Sequence, residues 1–443
     1  MKRLLFIFSF FFLLALNGKA QEVEVLTLED CLRIGIDNNL LLEGKRKEIQ
    51  KNKYGVSENR SKLLPQINAI AGYSNNFDPP VSVTDGSSYG VPYNITETLQ
   101  HSANAGLEMQ MPLFNQTLYT SMSIAKVMEE ISRLSYGKAR EDVILQISKM
   151  YYLGQVTAEQ IMLIKANIAR LKELRDITQA FFDNGMSMEV DLKRVNINLE
   201  NLQVQYDNAQ AMMKQQLNML KYIMDYPAEK EIALTPVNTD SITTVALTGL
   251  SENIYELQLS QSQVQLAERQ KRIITNGYIP SLSLTGSWRY AAYTDKGYHW
   301  FHSGPSNHWF RSYGVGLTLR IPIFDGLDKT YKIRKAMIDI ENSKLAWEDA
   351  RKNLQTQYLN AVNDLMNNQR NFKKQKDNYL LAEDVYAVTS DRYREGIASM
   401  TEVLQDEMQM SEAQNNYISA HYNYRVTNLM LLKLTGQIES LLK

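Results

Sequence analysis

The sequence predicts a mostly α-helical exported protein with a small membrane β part, arranged as two tandem repeats of strand, strand, long helix and short helix. Three observations carry this. An apolar run opens the chain, collinear motifs recur about 211 residues apart, and only 21 glycines and 10 prolines punctuate 443 residues, which leaves room for long uninterrupted helices. At 44% hydrophobic and 22% charged residues the chain is not a disordered one, and a net charge of −1 argues against a nucleic-acid binder driven by bulk charge. Its single cysteine, Cys31, excludes an intramolecular disulfide framework and a four-cysteine zinc site.

Residues 1–20 read as a secretory signal. Lys2 and Arg3 precede an apolar run from Leu4 to Leu16, and Asn17-Gly18-Lys19-Ala20 offers small residues for cleavage. That run falls short of the roughly 20 residues a spanning helix needs, and no longer apolar stretch follows. The mature chain is therefore expected to be soluble outside the inner membrane or to enter a membrane as β-strands.

The duplication is visible residue by residue. LLPQINAIAGY (63–73) corresponds to YIPSLSLTGSW (278–288), and NAGLEMQMPLF (104–114) to YGVGLTLRIPIF (313–324). Further on, Phe182 to Gly185 corresponds to Tyr393 to Gly396. We read a first repeat over 21–236, with strands at about 66–76 and 101–111 and a long helix at about 116–182. A second repeat spans 237–443, with strands at about 281–293 and 311–321 and a long helix at about 326–394.

The strands follow from period-2 alternation. Ala103, Ala105, Leu107, Met109 and Met111 oppose Ser102, Asn104, Gly106, Glu108 and Gln110, and Tyr313 to Ile321 alternates likewise. Such segments suit a bilayer, with the apolar face toward lipid and the polar face toward water. Aromatic residues gather near the strand ends (Tyr73, Trp288, Tyr290, Tyr293, Trp300, Trp309, Tyr313), as interfacial girdles do. Asn76–Gln100 and Thr294–Phe310 are expected to be polar external loops.

The helices follow from longer periods. Gln116 to Phe182 contains no proline, and Tyr358, Leu365, Phe372, Tyr379, Tyr386 and Tyr393 recur at sevens, as in a left-handed coiled coil. Shorter helices are expected at about 28–63, 188–224, 252–276 and 400–434. Pro65, Pro112, Pro280 and Pro322 are expected at helix–strand junctions, and Gly185 and Gly396 at helix-hairpin turns. Four strands cannot close in lipid without leaving backbone groups unpaired, so other copies must complete the barrel. Two copies would leave a narrow one; three would supply twelve strands and a channel.

GLEMQMPLF and GLTLRIPIF, with GMSMEVDL (185–192) and GIASMTEVL (396–404), resemble the TolC family of outer-membrane efflux proteins over essentially the whole mature chain. That resemblance implies a homotrimer with a 12-stranded outer-membrane β-barrel continued by a periplasmic α-helical coiled-coil tunnel. It also implies docking to a periplasmic adaptor and an inner-membrane transporter, and passive conduction to the exterior. The family's closed tip implies a latch tyrosine at Tyr393 and acidic constriction positions at Glu402 and Asp191, with Gly185 and Gly396 at the docking tip. Two departures stand out: the second acidic position is Gln405, beside Asp406, and the position two after Gly396, basic in some members, is Ala398. Read alone, Glu402 and Asp191 are also first-turn acids favoured by the helix dipole, and Tyr393 also completes the heptad series.

No nucleophile-elbow, phosphate-loop, dinucleotide or zinc-protease motif occurs, so no enzyme and no cofactor is expected. His299, His302 and His308 cluster in one expected external loop without an acidic or cysteine ligand at suitable spacing. A soluble periplasmic coiled-coil adaptor or scaffold would share the heptads but would not need lipid-compatible strands.

Overall fold

The computed structural model describes residues 24–442 apart from 80, 98, 237–248 and 295–308. The expected signal at 1–20 and the His299, His302 and His308 loop lie outside the described residues. The elements run β1 (Glu24–Leu26), α1 (Leu28–Asn38), α2 (Leu40–Ser61), β2 (Gln66–Asn75), β3 (Val81–Asp85), β4 (Tyr93–Glu97), β5 (His101–Phe114), α3 (Gln116–Asp183) and α4 (Glu189–Met224). Then follow β6 (Ile232–Leu234), α5 (Tyr255–Asn276), β7 (Ser281–Thr294), β8 (Trp309–Arg320), α6 (Asp328–Arg394) and α7 (Met400–Leu434). Both long helices and all four long strands lie within a few residues of where their periodicity places them.

The chain forms two compact units. One takes Glu48–Arg133 and Ser260–Trp347 and contains a four-stranded antiparallel sheet in the order β2-β5-β7-β8. The central ladder joins the two halves of the duplication, with Ala105 opposite Tyr290 and Leu107 opposite Trp288. The alternation sorts side chains by face as expected. Ile67 and Ala69 of β2, Leu107 and Met109 of β5, Leu284 and Trp288 of β7, and Tyr313, Val315 and Leu317 of β8 fall on one side by register. On the opposite side Asn68, Glu108, Gln110, Thr285 and Ser287 stand among glycines, and Arg289 donates to Glu108 at 2.5 Å. A Cβ at Gly106 would lie 2.4 Å from the Trp288 carbonyl oxygen, so the bare backbone lets this wall close. The apolar face is uncovered: Val315 is 81% exposed and Leu317 66%. Among the described residues β2 and β8 each lack a neighbour on their outer edge.

The other unit, Met1–Lys47, Leu134–Leu259 and Glu348–Lys443, is a helical bundle. Its core is cut from α3 (Ile164, Ile168, Leu171, Leu174), α4 (Val195, Leu202, Ala209), α6 (Tyr386, Tyr393) and α7 (Met400, Val403, Leu404, Met410). Spacings of three, four and seven bring these residues onto one stripe of each helix, and burying each large side chain contributes about 1.5–3 kcal/mol. The heptad residues Phe372 and Tyr379 pack beside them against Tyr417, with ring centroids 5.8 Å and 5.6 Å away. β1 pairs in parallel with β6 at the edge of this unit.

Three expectations need correction, and one strand pair was missed. The helix expected over 28–63 is two helices, α1 and α2, because Asn39 leaves the helical region (ψ 121°). Its side chain then accepts from the Leu42 amide at 3.2 Å and donates to the Ile223 carbonyl at 2.7 Å, which caps α2. Pro112 is not at a junction. It lies within β5 where the register with β7 shifts, and a bulge tolerates the missing amide proton. The loop after β2 contains the hairpin β3–β4. Finally, the β1·β6 pair was not anticipated at all.

Candidate functional site at the helix-hairpin tips

The two halves build the same turn. Gly185 and Gly396 adopt φ 73° and 74°, a left-handed conformation that costs glycine least. In each, the glycine amide donates three residues back (to Phe182 and Tyr393, both 2.9 Å) and the next amide five back (to Phe181 and Arg392, both 2.8 Å). This is the Schellman closure of a helix C-terminus.

Beyond the turns the halves diverge. Ser399 caps α7: its hydroxyl accepts from the Glu402 amide at 3.3 Å while Glu402 Oε2 accepts from the Ser399 amide at 3.3 Å. Glu402 is exposed at this first turn. The corresponding position in the first half is Met188, which has no side-chain cap. Asp191, the counterpart of Glu402, instead pairs with Arg194 at 3.4 Å. Arg194 also donates to Thr401 Oγ1 at 3.2 Å and so ties α4 to α7.

Tyr393 is 6% exposed, with its ring 5.7 Å from Phe181. Its hydroxyl is 3.2 Å from Thr178 Oγ1, and because Thr178 already donates to the Leu174 carbonyl, Tyr393 is the donor. The side chain thus links α6 to α3. A hollow of about 720 Å³ opens beside it, lined by Phe181, Met186, Met188, Asp191, Arg194 and Met400 among others. Asp406 is half-buried one turn on. Its neighbour Glu407 is fully buried with Oε1 lacking a hydrogen-bond partner, and burial pushes its carboxyl above the usual range against the pull of Arg170. Arg170 also pairs with Glu383 at 3.4 Å, and Asn167 donates to Gln414 at 2.7 Å, forming a polar layer across α3, α6 and α7.

The structure therefore brings Asp191, Tyr393, Gly185 and Gly396 around one hollow, with Glu402 capping the helix that leaves it. Arg194, Ser399 and Glu407 were not singled out from sequence. Ser399 with Glu402 is a legible capping box; the Arg194–Thr401 contact joins helices from different repeats and leaves no local signal. Among the described residues no group of three or more His, Cys, Asp or Glu is arranged to hold a metal ion.

The family described as "Outer membrane efflux protein" matches this chain twice, over residues 35–224 and 248–437. The chain belongs to the outer membrane efflux protein family. Among its relatives, the outer membrane protein TolC of Vibrio cholerae is 21% identical over 403 residues, covering 86% of this chain and 84% of that protein. TolC of Escherichia coli is 19% identical, covering 86% and 76%. Of solved structures, that of CusC superposes with a TM-score of 0.77 at 16% identity, covering 95% of each chain. The open state of the Neisseria gonorrhoeae MtrE outer membrane channel gives 0.73 at 17%, covering 92% of this chain and 88% of that one. This efflux protein is accordingly an outer-membrane channel subunit that extends into the periplasm, and its relatives are channels rather than enzymes. No helix among the described residues of the efflux protein is long and apolar enough to cross a membrane.

Proposed function

We propose that three copies join β2 to β8 into a twelve-stranded barrel and conduct cargo passively from a periplasmic adaptor and an inner-membrane transporter to the exterior. The observation that carries this is the uncovered apolar face of a four-stranded sheet with two unpaired edges. In lipid each unpaired backbone group costs several kcal/mol, so the edges must meet other strands. A soluble scaffold has no use for such a face. Detergent extraction tests the assembly: a heat-dissociable trimer supports it, and a monomer released without detergent overturns it.

The tip is the gate in this reading. Glu402, Asp406 and Asp191 supply negative charge at the narrow end, Tyr393 and Arg194 hold the hairpins together, and Gly185 and Gly396 present the adaptor-docking turns. Related proteins carry the names toluene efflux pump outer membrane protein TtgC and alkaline protease secretion protein AprF. Cargo in this reading is therefore chosen by the transporter. Glu402→Gln keeps the capping acceptor and removes the charge. In planar bilayers it is expected to reduce cation preference, and Glu402→Ala to do so while also loosening α7; unchanged selectivity in both would overturn the constriction.

A further inference from the structure

In the helical unit α3 and α7 face each other and α6, whereas α4 and α6 each carry an apolar series on an exposed flank. On α4 these are Val190, Ile197 and Val204, between 45% and 62% exposed; on α6 they are Leu359, Met366 and Leu380, between 46% and 54% exposed. Spacing by sevens is the mark of a coiled-coil seam, and such a seam left in water calls for a partner helix. The α6 series is broken by one charge, Lys373, at the seventh position between Met366 and Leu380 and exposed. On α4 the row three residues on from each apolar position is charged throughout, as Lys193, Glu200, Asp207 and Lys214, all exposed; Asp207 is the acid of that row nearest the level of Lys373.

The two charges lie at one level. Counting from the hairpin glycines is a sound measure here, because Asn167 and Gln414, each 18 residues from its glycine, are hydrogen-bonded at 2.7 Å. By the same count Asp207 is 22 residues from Gly185 and Lys373 is 23 from Gly396. One residue of helix is only about 1.5 Å. We infer that α4 of one copy packs against α6 of the next, and that Asp207 pairs with Lys373 across this seam to fix its register. Charges within or flanking an apolar seam set its partner and register, and two different surfaces meeting head to tail generate a ring where the rotation between copies closes. The inference rests on the trimer reading and adds to it which helices meet and at what offset.

Full-length protein in detergent tests it. Asp207→Lys and Lys373→Glu should each lower the temperature at which the trimer dissociates, and the double exchange should restore it. Asp207→Cys with Lys373→Cys should give disulfide-linked chains on mild oxidation; native Cys31 does not interfere, since it is fully buried and burial pushes its thiol up to about 12. Lys373→Leu should keep the trimer but lose the single cross-linking register. If trimers form yet the double exchange rescues nothing and the cysteines stay unlinked, the seam assignment falls while the trimer stands. A wild-type chain that is monomeric in detergent overturns both.

Discussion

Leu317→Arg is expected to abolish the assembled channel. Leu317 lies in mid-β8, 66% exposed on the apolar face opposite Leu284. A guanidinium at mid-bilayer on a barrel's lipid face costs about 2–4 kcal/mol per subunit, and a trimer bears it three times. The helical unit has its own buried core and should still fold, so the variant should accumulate as helical protein without heat-dissociable trimer. Thr318→Arg, one residue on and facing the polar side, should assemble normally. Equal yields of trimer from both variants would show that β8 does not meet lipid.

Glu141 should make the helical unit less stable as pH rises. It is 5% exposed on α3, and burial pushes its carboxyl up to about 7; Lys433 opposes the rise while Glu439 and Asp142 reinforce it. The folded chain therefore binds a proton that the unfolded chain releases nearer pH 4.5. Stability from this group is fully present below that lower value and falls until the pH passes about 7. Glu141→Gln removes the ionisation, so at pH 8 it should be more stable than wild type by up to about 3 kcal/mol, and at pH 4.5 nearly equal. Melting followed by circular dichroism at the two pH values measures this; a difference independent of pH would refute it.

Much of this architecture was readable because its signals are local and doubled. Period-2 alternation located β5 and β8, heptad tyrosines located the packed stripe of α6, and two glycines in matching contexts located both hairpin turns. What escaped notice was either unpunctuated or non-local. The break at Asn39 has no glycine or proline beside it and depends on a bond to the Ile223 carbonyl far along the chain. β1 and β6 are three residues each, too short for any period to register. At the tip, the acids and glycines could be found by counting from the turn. Arg194, by contrast, acquires its role only when α4 and α7 come together.

The β1·β6 pair has a bearing on the order of folding. Leu26 is almost wholly buried, its carbonyl accepts from Tyr151 at 3.2 Å and from the Thr235 amide at 3.3 Å, and its strand partner Leu234 arrives roughly two hundred residues later. The helical unit further needs Glu348–Lys443 to complete its core. A chain that emerges amino end first therefore holds its earliest strand idle until most of its length has followed. Such distant closures are slow, and a chain waiting on them exposes apolar surface that is prone to aggregate.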